Sequence, residues 1–494
     1  MIGFDRNWLV LSAVAASVVL APMRCGAEVP QQPSGGSQAA TLRSFGAAGD
    51  ARTDDTRALV DAFAKGAGRC IDGEGRHYRV RGTVRIGGDL CLRNATIVQS
   101  LAPIDTRPFI TRGCAPTLDA AAVRDCGDAA IPLAAAKRLN DNLSVRTLFV
   151  RPDRAGTRVK VTLDHVTVDR GRFPEAGSRT DAAGIWIESA REVVLSNVEV
   201  TGAGKGFGLL VLDSGNVTAD NLHIHDLVWA PYKGDRPLVQ AQVAQLGWNS
   251  VSIREFRIAG QDRVAASKFY AVRVQEQVSC ASFASVRRLR IRNLQIARCL
   301  ARFDTGDLPW QADGLNISRG SQQVEVTGGK IDSTWEAVDV VANGGGVDGL
   351  TITDLTTSNA FAFGLKLGYR LRGATLTNVR VSNSGMGGIV LYGPVSGVRV
   401  SGAQVSGVGR VGLPGGGILR PWPAGNRAGI RIDDPTRGEA AGAPRDIVVD
   451  ATVASSHPGE YDFGFLNSAP GSTVRLQRLR ATGFARREVE DRRQ

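Results

Sequence analysis

The sequence predicts an all-β chain: a single-stranded parallel β-helix of about ten or more coils, closed at one end by a small N-terminal helical cap. Three observations predict it. A two-strand unit recurs along most of the chain, at intervals of about 20 to 35 residues. The apolar content is mainly Val, Leu, Ile and Ala, and 59 of the 494 residues are Gly, a composition that suits short strands and many turns. One short stretch, Thr56 to Ala64, carries apolar residues at helical spacing, and no helices interrupt the strand units that follow.

Taken in order, the chain opens on an apolar run, Trp8 to Ala21, that ends in small residues. It is too short for a membrane span of about 20 residues and reads as a secretory signal peptide over residues 1–27, cut after Ala27. An uncleaved anchor is the alternative. A Gln/Ser/Gly-rich linker occupies residues 28–40. With Cys25 removed in the signal, six cysteines remain, an even number that fits an exported chain with disulfides. Pairing by proximity gives Cys70–Cys91, Cys114–Cys126 and Cys280–Cys299. Export to the periplasm, the cell surface or the medium follows. After signal removal no membrane span is expected, and the chain is expected to be a monomer.

The cap and first coils are assigned to residues 41–157. Asp54 or Asp55 is placed to cap the short helix, whose apolar positions are 59, 60 and 63. The coils proper are assigned to 158–484 and a charged tail to 485–494. The first half of each unit puts Asn, Asp or Gly before an aliphatic pair, as in VVLSNVEV, LRIRNLQI and ATLTNVRV. The second half is a short strand after a small residue, as in AGIWIES, DGLNIS and FGLKLGY. One unit cannot bury its apolar side alone, whereas stacked units form a continuous core. The strict Leu pattern of leucine-rich repeats and the longer, even spacing of propeller blades are both missing.

The segment FGAAGDARTDDTRAL, within residues 45–59, resembles the opening motif of the pectate lyase and polygalacturonase superfamily. The resemblance, motif plus coils, covers the chain from about Thr41 to its end. It implies a right-handed β-helix with an N-terminal cap over the first coil. It does not choose among hydrolases, lyases, epimerases and phage tailspikes, which share the architecture.

Aligning the second strands places side chains of successive coils in columns about 4.8 Å apart. Strand alternation sends Leu315, Ile317, Val338, Val340, Leu365 and Leu367 inward. The outward column is then Arg273, Asn316, Asp339 and Lys366, with Trp186, Leu210, Val390 and Arg431 in neighbouring coils. A second column, at the strand entrances, holds Asp313, Glu336 and Phe363. Trp310, Trp335, Phe361 and Tyr369 lie around it, and aromatic faces suit stacking on sugar rings. The candidate catalytic set is Asp313, Glu336, Asp339, Lys366 and Arg273. The candidate sugar contacts are Asn316, Trp310, Trp335 and Tyr369.

Two chemistries suit that set. Asp313 and Glu336 form a carboxylate pair for a glycoside hydrolase, one the acid and the other the base or nucleophile. Alternatively, β-elimination on a uronic acid polymer uses Lys366 as base with its pKa lowered, Arg273 on the uronate, and Ca²⁺ held by Asp313, Glu336 and Asp339. A metal is otherwise not called for. Compared with polygalacturonases, QADG falls on their Asn-Thr-Asp-Gly motif and matches Asp313. Their paired Asp falls on Trp335 and Glu336, and the His of their Gly-His-Gly motif on Phe363. Their Arg-Ile-Lys motif is not visible near residues 388–391. The resemblance is therefore partial, and the balance leans slightly to a lyase, with a C5-epimerase as a further alternative. A non-catalytic glycan-binding β-helix for exopolysaccharide assembly is the rival class.

The formal charge of +12 fits either an Arg-rich solvated surface or an acidic polysaccharide partner. No basic run or nucleic-acid module appears, which argues against nucleic acid. In HIHD, strand alternation points His223 and His225 the same way beside Asp226, a pattern open to a metal pair or a solvent-side ladder.

Overall fold

The structure is a computed structural model of the full chain. It describes residues 40–66, 68–100, 130–132, 145–171, 183–202, 206–227, 263–265, 278–299, 312–341, 345–412, 417–419, 427–434, 442–455, 462–484 and 486–492. Arg273, Trp310 and the Cys114–Cys126 pair lie outside the described residues, as do the signal peptide and linker.

The strands of the main sheet pair in parallel, each with its counterpart in the next coil. This is the predicted parallel β-helix. One wall stacks the strands Ala183–Glu188, the first part of Phe207–His225, the first part of Val278–Ala297, Ala312–Ser318, Val338–Val341, Phe363–Gly368, Gly387–Tyr392 and Ala428–Asp433. Phe463–Asn467 and Arg487–Asp491 continue it. Five of the ten residues assigned to a charged tail, Arg487–Asp491, form a strand, in which Val489 pairs with Phe465 and continues the apolar column.

The Asn, Asp or Gly before each aliphatic pair has a backbone cause. Asn197, Asn221, Asn293, Asp354 and Asn378 all have φ between 51° and 55°. That left-handed region is costly for most side chains and cheapest for Gly, Asn and Asp. These residues form a corner, where the coil bends between two strands and the aliphatic residues on both sides still point inward. Their side chains bond along the stack: Asn221 Nδ2 donates to Asn197 Oδ1 at 2.9 Å and Asn293 Nδ2 to Asn221 Oδ1 at 3.2 Å. The small residue before each inward aliphatic has a packing cause. A Cβ on Gly314 would stand 2.6 Å from both the Ala337 carbonyl oxygen and Ile331 Cγ2.

At the N-terminal end a helix, Thr56–Lys65, buries Leu59, Ala62 and Phe63 over the first coil. The two aspartates before it divide their work. Asp54 Oδ1 accepts from the Thr56 amide at 3.1 Å, while Asp55 turns back and accepts from the Ala48 and Gly49 amides at 2.7 and 3.1 Å. Disulfides join Cys70 to Cys91 across adjacent coils and Cys280 to Cys299 around one coil. No helix among the described residues is long and apolar enough to cross a membrane.

Candidate functional site

The backbone register builds the site. Asn316 pairs with Asp339, and Asp339 with Lys366. Trp186 pairs with Leu210, Lys366 with Val390, and Val390 with Arg431, so these residues share one column. Asp313 and Glu336 each stand two residues before the paired Leu315 and Val338. The amide of Gly314 donates to the Glu336 carbonyl at 2.8 Å, which holds the two strand entrances one rung apart.

One predicted rung is different. The residue paired with Asn316 is Ser282, and Ser282 is paired in turn with Leu210. The rung beside Asn316, which the alignment gave to Arg273, is held by Ser282. The alignment missed Ser282 because CASFAS carries Ala and Phe, not an aliphatic pair, on its inward side. The available signal was the period-two spacing of Ala281 and Phe283, both fully buried.

The side chains form one connected set. Lys366 Nζ donates to Glu336 Oε2 at 3.0 Å and lies 3.4 Å from Asp339 Oδ1. Asn316 Nδ2 donates to Asp339 Oδ2 at 3.1 Å, and Ser282 Oγ donates to Asn316 Oδ1 at 3.2 Å. Asp313, Glu336 and Asp339 each bring one oxygen to within 4.8 Å of the others. The three acids are closed from solvent: Asp313 and Asp339 are 0% exposed and Glu336 is 3%.

Burial decides the protonation states. It pushes the Glu336 carboxyl up to about 8, and the nearby Asp339 carboxylate adds to the rise while Lys366 opposes it. For Lys366, burial favours the neutral amine, but the Asp339 and Glu336 carboxyl groups outweigh it and hold the ammonium well above the ordinary lysine range. Lys366 is thus a cation throughout the neutral range. The expectation of a lysine base with a lowered pKa is overturned, because its two carboxyl neighbours stabilise the charge that burial alone would remove.

The expected calcium site does not fit either. Ca²⁺ takes six to eight oxygen ligands. Here three carboxyl groups converge, and the Lys366 ammonium already stands against two of them.

Trp335 is a further correction. It is 2% exposed and stacked on Phe361, with ring centroids 4.9 Å apart, so its face is taken up inside the core. The chain turns here: the Trp335 amide donates to Ala312 and its carbonyl accepts from Ala362. Tyr369 is half-buried at the end of the Lys366 strand and leans on Tyr392 at 5.4 Å. Burial pushes its hydroxyl up to about 12. Among the described aromatics of the predicted set, it is the one that is not fully buried.

No protein-family model matches this sequence, and no curated protein matches it. Solved structures are similar in chain path. A family 28 exopolygalacturonase from Yersinia enterocolitica is 12% identical with a TM-score of 0.46, over 92% of this chain and 77% of that one. The A-module of a mannuronan C-5 epimerase from Azotobacter vinelandii is 14% identical with a TM-score of 0.38, over 92% and 98%. PfbA, a surface adhesin of Streptococcus pneumoniae, is 12% identical with a TM-score of 0.39, over 92% of each chain. At these values the likeness carries no argument about chemistry.

Proposed function

We propose that this chain is an exported polysaccharide-processing enzyme that hydrolyses glycosidic bonds, with Glu336 as the general acid. The observation that carries the reading is the convergence of three buried carboxyl groups, each with an oxygen within 4.8 Å of the others, among which burial raises the Glu336 carboxyl. A carboxyl group whose pKa is raised beside other carboxyl groups is the arrangement that protonates a leaving glycosidic oxygen. Asp339, tied by Asn316 and Lys366, fixes charge in place. Asp313, one rung from Glu336, is assigned the base or nucleophile role. The short separation favours the retaining geometry over the wider inverting one. Lys366 as a fixed cation disfavours β-elimination through that residue. It suits an anionic polymer, as does the charge of +12.

The test is turnover of acidic polysaccharides by the mature chain. New reducing ends without absorbance near 235 nm, lost in Glu336→Gln, are expected. An unsaturated product would restore elimination, and an altered polymer of unchanged length would indicate a C5-epimerase. A second reading, a non-catalytic glycan-binding β-helix, is favoured by the closure of all three acids from solvent. It stands if wild type retains glycan in an affinity gel and cleaves nothing.

A further inference from the structure

We propose that Glu199, His223 and His225 form a binding site for a divalent cation of the zinc class, on a different face of the coil from the Asp313 cluster. Glu199 pairs with His223 in adjacent strands, and His223 and His225 are two residues apart on one strand, so the three side chains share a face. The two imidazole rings lie 4.2 Å apart. One ligand atom from each of the three residues lies within 4.8 Å of the others. A tetrahedral zinc site with bonds of about 2.0–2.1 Å needs its ligand atoms about 3.3 Å apart, a contraction within reach of side-chain rotation.

The supporting contacts are what a metal site requires. His225 Nδ1 lies 2.7 Å from Asp226 Oδ2, and Asp226 is gripped by the Arg298 guanidinium. A carboxylate on one ring nitrogen fixes the tautomer and aims the lone pair of the other. That other nitrogen, His225 Nε2, faces Glu199 Oε1 at 2.9 Å. The second Glu199 oxygen is occupied, accepting from Thr167 Oγ1 at 3.1 Å, so Oε1 is presented toward the histidines. Two imidazoles and one carboxylate select a borderline cation over calcium or magnesium. The ion would join the coil of Glu199 to the coil of the histidines and leave a fourth position for water.

The test titrates the chelator-stripped full chain with Zn²⁺ and, separately, with Co²⁺. One zinc per chain at micromolar or tighter affinity and the visible absorption of four-coordinate Co²⁺ are expected. Affinity should fall about tenfold or more in Glu199→Gln and in Asp226→Asn, and His223→Asn/His225→Asn should lose the ion, with folding checked by circular dichroism. Glu336→Gln and His165→Asn should both retain it. Binding weaker than millimolar, binding unchanged in the double histidine variant, or loss in His165→Asn would overturn the assignment. Neither outcome depends on whether the chain cleaves a polysaccharide.

Discussion

Replacing Lys366 by Met keeps most of the side-chain volume and removes the charge, which isolates the electrostatic role of the site. Lys366 Nζ stands 3.4 Å from Asp339 Oδ1, and the Asp339 side chain is 0% exposed. At an effective dielectric of about 20 that attraction is about 5 kcal/mol. Removing one partner of a buried pair leaves the other charge uncompensated and costs about 3–5 kcal/mol. The expected loss of unfolding free energy is in that range, read by guanidinium unfolding with Trp335 fluorescence as the local probe. Adding Asp339→Asn to the Met variant should recover much of the loss, since the stranded charge is then gone. A loss below about 1 kcal/mol, the range of a surface ion pair, or additive losses in the double variant, would refute a buried, interdependent network.

Glu336 gives the pH prediction. Its folded pKa of about 8 lies above the ordinary 4.5, so between those values the native state keeps a proton that the unfolded chain has lost. The stabilisation is complete below about pH 4.5 and is lost as pH rises toward 8, by at most roughly 5 kcal/mol. Glu336→Gln should flatten that slope in pH-dependent unfolding curves. Trp335→Ala should cost about 3–5 kcal/mol of stability as a core deletion, measured by thermal unfolding; unchanged stability with weakened glycan binding would return Trp335 to the substrate groove. Cys70→Ser/Cys91→Ser should cost about 2–4 kcal/mol, and thiol titration should find all four described cysteines unreactive. Asn221→Val, at a left-handed corner, should cost about 1–2 kcal/mol, against little change in Asn221→Gly.

The coil architecture was readable because its causes are local. An Asn at a left-handed corner and a Gly under a neighbouring carbonyl each leave a mark in a short string, so VVLSNVEV announces its own bend. The Asn316–Asp339–Lys366 column followed from alternation alone. What was not readable depends on more than one coil. Ser282 was passed over because its strand carries small and aromatic residues, and YAVRVQE offered a better aliphatic match at Arg273. Trp335 looked open because its position resembled a turn, but it is the stacking on Phe361 from the next coil that buries it. The proton on Lys366 required knowing that Glu336 and Asp339 both reach it, and two opposing effects had to be weighed before its sign could be given.

A site held by a ladder of backbone hydrogen bonds has a spacing that comes in steps. Asp313 and Glu336 are separated by one rung because the Gly314 amide bonds the Glu336 carbonyl. The backbone part of that interval is fixed, since the rise of about 4.8 Å per coil is common to every parallel pair, and side-chain rotation is what adjusts it further. A descendant of this protein would change that backbone part only by transferring a carboxylate to another coil. For the proposed acid pair, such a move takes two substitutions, one carboxylate lost and one gained, and would carry the separation from the retaining toward the inverting range. Under the proposed hydrolytic role, the backbone contribution to stereochemical outcome would thus change in whole rungs.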